Sequence, residues 1–301
     1  MELPKPHYSK LVAAINNSKT PISSKRKLEE TIEVYEKWIQ DMLSVDGTKE
    51  EKTEKLVNLF NNYKFFIDYN LIFLSEDDFL YRQKGQLKLD NTVIEEFLPH
   101  LVSKVFDNLN NVEFGPTKCF SSAYFQTSLR NFTNNGGIAI RSKDQDFAIA
   151  RKLYLKSSFD PSFNNSDSVT TFLGYVTAEC KTNLDKTMFQ EATATSHDVK
   201  SAMPGSKYFL LCEWLDMTPI STAPTDIDEV LILRKAKRIS SNIRKDFDSV
   251  SARREKKDWY ENFLKTNPFD KGVFLRFVQH IESVIDNDDP VENNVLNDGF
   301  F

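Results

Sequence analysis

Apolar positions recur at helical spacing in the first third of the chain and give way to strand-like runs past its middle. In KRKLEETIEVYEKWIQDML, Leu28, Ile32, Tyr35 and Ile39 fall three or four residues apart behind Ser23 and Ser24, which predicts a helix ending near Gly47. KEEKTEKLVNLFNNYKFFIDY predicts a second helix, so a helical hairpin precedes an irregular stretch, SEDDFLYRQKGQLKLDN. After Asp90, the residues Ile94, Phe97, Leu98, Leu101 and Val105 form one apolar stripe, a core helix that Pro99 is expected to kink.

Strand patterns follow: GIAIR from 137, DFAIARKLYLK from 146, VTTFLGYVTAECK from 169, KYFLLCEWL from 207 and EVLILRK from 229. One helix interrupts them, starting at Asp185 or Lys186 and stopping before Pro204 and Gly205. Strand, helix and strand in that span imply a right-handed parallel crossover. From Ile239 to about Asp286 the pattern is again helical, clearest in GVFLRFVQHIESVI. The fold class is therefore α/β, a mixed central sheet of about five strands flanked by helices. Its expected regions are an N-terminal helical part (1–85), a core (86–238) and a helical C-terminal part (239–301).

Composition narrows the setting. Hydrophobic residues make up 40% of the 301 positions, enough for a sizeable core. No apolar run approaches the ~20 residues needed to cross a bilayer, and no charged-then-apolar leader is visible, so a cytoplasmic protein without a membrane partner is expected. Three widely spaced cysteines, Cys119, Cys180 and Cys212, fit reduced core residues rather than a disulfide framework or zinc cluster. The formal charge of -5 hides a polarity: Arg234 to Lys257 holds ten bases against three acids, while six acids and no bases follow from Glu282 onward, a stretch read as a solvated tail.

The candidate chemistry sits at the end of the run TFLGYVTAECK. Phe172, Leu173, Gly174, Tyr175, Val176 and Ala178 leave that strand no polar face, which makes it a central strand buried on both sides. Alternation then puts Glu179 and Lys181 on one face, with Cys180 opposite, and both charges at the sheet rim. By itself Glu-any-Lys is a common exposed ion pair. If DFAIARKLYLK and TFLGYVTAECK form a hairpin in which Lys156 pairs with Thr171, Asp146 lies opposite Lys181, and a slip of a residue or two sets it beside Glu179. Asp144 is the fallback acid, and Asp160 and Asp167 are expected in the turn. Two carboxylates and an amine at one rim suit a metal-dependent phosphodiesterase: the acids hold hard Mg²⁺ and the amine stabilises charge and assists a nucleophilic water.

Asp146 with Glu179-Cys180-Lys181, on a hairpin preceded by a core helix and followed by a crossover helix and strand, resembles the PD-(D/E)xK nuclease superfamily. The proline that superfamily often sets before its first acid is absent, since Gln145 stands there. ECKTNLDKTMFQEATATSHDVKSAMPGSKYFLLCEWLDMTPIST, residues 179 to 222, is similar to the Bpu-type restriction endonucleases, a family with two-subunit members that cut asymmetric DNA sites. The resemblance spans roughly 80 to 235 and implies a type II restriction enzyme acting on double-stranded DNA with Mg²⁺, paired with a second, non-identical subunit or with a copy of itself. It also implies a further glutamate from the core helix. Thr92-Val-Ile-Glu95 fits a capping box that would occupy Glu95, leaving Glu96 as the metal-site acid, although helical geometry does not cleanly favour it. Gln190 matches a polar residue that relatives aim at the site, with a solvent-facing role as its alternative.

The basic segment, with Arg234, Lys235, Lys237, Arg238, Arg244 and Lys245, directly follows the last strand and is expected to contact phosphates. His197 stands alone on a polar helix and receives no role. No GxSxG, GxxxxGK[ST] or GxGxxG motif is present, so serine-hydrolase, nucleotide and dinucleotide chemistry lack support. Two further readings compete with a restriction enzyme: a structure- or damage-directed nuclease on the same core, which would cut without a fixed sequence, and a non-catalytic DNA-binding subunit, against which the triad Asp146, Glu179 and Lys181 counts.

Overall fold

The strand without a polar face is the middle one of five. In the computed structural model, which describes residues 3–106, 109–125 and 136–286 with isolated positions at 129, 292, 295, 296 and 299, β3 (Asp167–Leu184) lies third in a sheet ordered β1-β2-β3-β4-β5. β1 (Glu113–Phe125) and β2 (Ile138–Ser157) run as an antiparallel meander into β3. β4 (Lys207–Leu215) and β5 (Glu229–Ile232) then add in parallel. Most of the acidic C-terminal stretch lies outside the described residues.

The strand count agrees with the sequence pattern, but its composition does not. GIAIR and DFAIARKLYLK are one long strand, β2, because the polar RSKDQ between them continues the extended ladder against β1. β1 itself escapes the pattern: Gly115, Pro116 and Ser121-Ser122 break its alternation, and its register shifts between Gly115 and Thr117 and again between Phe120 and Ser122. Gly115 (φ +122°) is required there, since a Cβ would sit 2.3 Å from Pro4 Cγ.

Helices cover both faces. α1 (Pro6–Asn16), α2 (Ile22–Leu43), α3 (Lys49–Phe65) and α5 (Thr92–Val105) pack on one side with α10 (Lys271–Ile285). Their Leu11, Leu28, Phe60, Phe97 and Phe277 share one core with Phe147, Val176, Ala178, Cys180 and Phe209 of the sheet. One hydrophobic cluster thus runs through N-terminal, central and C-terminal parts of the chain. α6 (Lys186–Ala202) is the crossover between β3 and β4, and it buries Phe189, Ala192 and Val199 on the other face with Tyr208, Leu210 and Cys212. α5 continues through Pro99, which is fully packed in its buried stripe. A π-helical segment, Phe66–Phe73, prolongs α3, and the stretch expected to be irregular contains α4 (Phe79–Leu87). Three short helices, α7 (Ser241–Lys245), α8 (Val250–Glu255) and α9 (Lys257–Thr266), follow, and they hold most of the basic segment from Arg244 onward, while Arg234 to Arg238 precede them. Among the described residues no helix is long and apolar enough to cross a membrane, and all three cysteines are free and buried.

Candidate active site

The β2–β3 ladder decides what reaches the rim. Phe147 pairs with Ala178 and Ile149 with Val176, a bulge follows at Ala150, and Lys156 meets Ser168 rather than Thr171. This corrects the simplest register and takes its slipped alternative, with Asp146 beside Glu179. The physical cause is the turn: Asp160 accepts the amides of Ser162 (3.0 Å) and Asn164 (3.2 Å), winding the loop tightly so that β3 starts at Asp167. The backbone amide of Cys180 donates to Asp146 Oδ2 at 2.8 Å, fastening the acid across the strands.

Glu179 and Lys181 share a face, as alternation requires, and Lys181 Nζ lies 3.1 Å from Glu179 Oε2. The other carboxylate oxygen, Oε1, accepts a 2.7 Å hydrogen bond from the buried Tyr208 hydroxyl on β4. Tyr208 pairs with Thr177, two positions before Glu179, so its side chain stands on the same face and leans toward the rim. Burial pushes the Tyr208 hydroxyl up, and the Glu179 charge pushes it further, so it remains a donor. Burial raises the Asp146 carboxyl, outweighing the Cys180 amide and Lys181. Burial alone would lower the Lys181 amine, but Glu179 and Asp146 reverse this and hold it above its ordinary range.

The two core-helix glutamates part company. Glu96 is fully buried; its Oε2 accepts the amides of His7 (2.7 Å) and Tyr8 (3.2 Å), and its Oε1 accepts from the Tyr35 hydroxyl. It caps the first turn of α1 from a distant helix, where a negative charge meets free amides and the positive helix end. That occupation removes Glu96 from the rim. The capping box proposed for Glu95 is not formed: the N-cap is Asn91, and the Thr92 hydroxyl instead donates to Lys88 O at 2.7 Å. Glu95 accepts a 2.8 Å bond from the Asn91 side chain and faces Asp146. Burial first, and then the Asp146 charge, lift its carboxyl to about 7. Helical geometry could not choose between neighbours 100° apart; the docking of α1 on one of them did.

A cleft of about 770 Å³ opens at this rim, lined by Asp146, Cys180, Lys181, Thr182 and Asn183 from the sheet. Arg238, Arg244 and Lys245 line it from the basic segment, while Arg82, Lys84 and Lys88 line it from α4 and its end. The α4 cations were not singled out in the sequence because their stretch lacks apolar periodicity. Three of the six predicted basic residues lie elsewhere. Arg234 is buried: its Nε donates to Glu213 Oε1 (2.8 Å), its guanidinium pairs with Asp68 (3.2 Å), and it stacks 3.9 Å from the Phe269 ring centre. It belongs to the core, its charge consumed by two buried acids. Lys235 is exposed and pairs with Asp270 at 2.9 Å, and Lys237 is exposed beside the end of β4.

Gln190 is exposed on α6 and does not line the cleft, since the inward face of that helix is taken by Phe189 and Ala192. Asp144 is exposed and lies 3.7 Å from Lys118, outside the rim. His197 is exposed against Asp226 at 2.8 Å.

Among the described residues, no three His, Cys, Asp or Glu side chains are gathered into one coordination sphere. Asp146 gives an oxygen to the Cys180 amide, and Glu179 is engaged by Tyr208 and Lys181. The chemistry of the donor set still fits a hard divalent cation. Carboxylates from α5, β2 and β3 act on one another electrostatically near this rim, every donor is oxygen, and Glu95, raised first by burial and second by the Asp146 charge, is a group whose ionised form a nearby cation would favour.

Comparison with known proteins adds to this geometry. The family model described as Bpu10I restriction endonuclease matches residues 86–301. A chain of the solved structure described as the native BbvCI A2B2 tetramer at low resolution superposes with a TM-score of 0.55 at 16% identity, covering 88% of this chain and 98% of that one. That overlap is longer than the family match, so part of the N-terminal helical region has a counterpart in the neighbour's fold. No curated protein matches the chain.

Proposed function

The chain belongs to the Bpu10I restriction endonuclease family, and on that premise we propose that it is a type II restriction endonuclease subunit hydrolysing DNA phosphodiester bonds at a specific site, in the cytoplasm. The reading takes Asp146, Glu179 and Glu95 as the residues that hold Mg²⁺, with Glu95 in the place first given to Glu96. The observation that carries it is that Asp146 and Lys181 line a cleft whose walls bear Lys84, Lys88, Arg238, Arg244 and Lys245, with Glu179 paired to Lys181 and the charge of Asp146 acting on Glu95 behind them.

A bound Mg²⁺ supplies charge neutralisation and a water of lowered pKa. The rest falls to the chain. Lys181, protonated at neutral pH, sets a fixed positive charge where negative charge grows on the phosphate. Tyr208 holds one oxygen of Glu179, so that carboxylate keeps its orientation without cost at the moment of reaction. The cationic walls attract the backbone of the nucleic acid without reading sequence, and cleavage specificity needs contacts to base edges in addition.

One Asp146, Glu179 and Lys181 set hydrolyses one strand, so a double-strand break takes two such chains. The BbvCI neighbour is described as an A2B2 tetramer, and by analogy this chain pairs with a non-identical sister. The test is plasmid cleavage with Mg²⁺ by the purified chain, alone and with the sister subunit, followed by sequencing of the product ends. Nicks from the chain alone and breaks at one fixed sequence with the partner are expected. Cutting without a fixed sequence would favour a structure-directed nuclease, and no cleavage under either condition would leave a non-catalytic subunit.

A further inference from the structure

Lys181 is not the only amine beside the acids. Lys88 ends α4 in the left-handed conformation (φ 54°), a region that favours glycine and is uncommon for lysine. The contacts that hold it are visible. Its carbonyl accepts both the amide (3.3 Å) and the hydroxyl (2.7 Å) of Thr92, the first residue of α5, and the next residue, Leu89, is fully buried. Lys88 is thus tied to the helical turn that carries Glu95, while its exposed side chain lines the same cleft as Asp146 and Lys181.

Its charge reaches both Glu95 and Asp146 and favours their ionised forms. Among the described residues its ammonium makes no hydrogen bond or ion pair of its own, whereas Lys181 is paired with Glu179 at 3.1 Å. Lys88 reaches the cleft from the α4–α5 junction and Lys181 from β3, so two amines from different elements line it beside Asp146. One is committed to a carboxylate, and the other is unspent and held at the cleft by a strained, doubly bonded backbone.

We propose that Lys88 is a second catalytic lysine, which contacts a non-bridging oxygen of the scissile phosphate from the side opposite Lys181. A phosphodiester in the cleft would then meet a cation on each flank. This placement stabilises the added charge of the pentacovalent phosphorus more than that of the ground state, with the backbone that carries the amine held in place before the substrate arrives. The inference rests on the nuclease reading given above.

Lys88→Gly separates chemistry from folding. Glycine adopts a positive φ without strain, so the variant is expected to melt at or above the wild-type temperature. Single-turnover conversion of supercoiled plasmid to the linear form with Mg²⁺, by the full-length chain with its sister subunit added to every sample, should fall about 10²-fold while nicked plasmid accumulates and affinity for the plasmid changes little. Lys88→Arg should recover most of the rate. A wild-type rate in Lys88→Gly overturns the inference, as does a loss that follows a lowered melting temperature or one that appears in affinity alone. If the wild-type protein cuts nothing with any divalent cation, the nuclease reading fails, and this inference fails with it. If only Lys88→Gly matches the wild type, that reading stands and Lys88 alone is removed.

Discussion

Two clusters of acids and bases lie within the same molecule and serve opposite ends. In the first, Lys64, Asp68, Glu213 and Arg234 are sealed between the π-helical segment, β4 and the chain after β5. Every charge there has a partner: Lys64 meets Asp68 at 2.6 Å and Glu213 at 3.0 Å, and Arg234 also donates to Asn267 O at 2.7 Å. Burial lifts Asp68 to about 6 against the pull of Lys64 and Arg234. At the second, the rim, Asp146 and Lys181 line an open cleft, with the buried Glu179 paired to Lys181 and the buried Glu95 close enough for its charge to act on Asp146. The chemistry of the side chains is the same. What differs is whether the charges are consumed internally or left facing a space that a substrate can enter. Glu95 and Glu96 repeat the contrast in adjacent residues, one crowded by Asp146 and the other saturated by the end of α1.

The comparison can be broken most sharply at Lys181. Lys181→Ala should cut the rate of plasmid nicking by about 10²–10⁴-fold, with the denaturation midpoint nearly unchanged, because a half-buried rim amine leaves no core cavity. Arg234→Ala should do the reverse. Removing one member of a sealed network strands Glu213 and Asp68 without their cation, and the loss of stability read from chemical denaturation should be about 3–5 kcal/mol. Normal stability in Arg234→Ala would mean that the two clusters are not different in kind.

Glu95→Gln sharpens the rim side. The Glu95 carboxyl is raised from 4.5 to about 7 in the folded protein, so the folded state binds its proton more tightly than the unfolded state does. Stability from this group is therefore full below pH 4.5 and is lost as pH rises toward 7. In metal-free buffer, Glu95→Gln should melt higher than wild type at pH 8, with the gap closing as pH falls below 4.5, and its Mg²⁺-dependent cleavage should be impaired. An equal gap at both pH values would remove the strain assigned to this carboxyl. The smallest effect concerns the cleft wall. Arg244→Ala with Lys245→Ala should flatten the dependence of log affinity on log salt by about 1.8 if each contacts one phosphate, leaving thermal stability within about 0.5 kcal/mol.

Much of this arrangement was legible in the chain. Strand alternation alone puts Glu179 and Lys181 on one face, and the absence of a polar face makes β3 central, because both properties are local and periodic. The crossover through α6 follows from the same kind of pattern. β1 and α4 were not legible, since Gly115 and Pro116 interrupt one and the other lacks an apolar stripe; each forms because the rest of the fold is there to pair with or pack against.

Which charge is spent and which is offered was decided only by the tertiary structure. Glu96 leaves the site because His7, Tyr8 and Tyr35 arrive from some sixty to ninety residues away, and Arg234 leaves the basic surface because Asp68 and Glu213 close around it. The turn at Asp160 and the bulge at Ala150 select the register that sets Asp146 beside Glu179. Sequence thus determined the residue types, their faces and the order of the elements. Burial and partnership are properties of segments brought together from a distance, and a charge acquires its role from the neighbours that fold onto it.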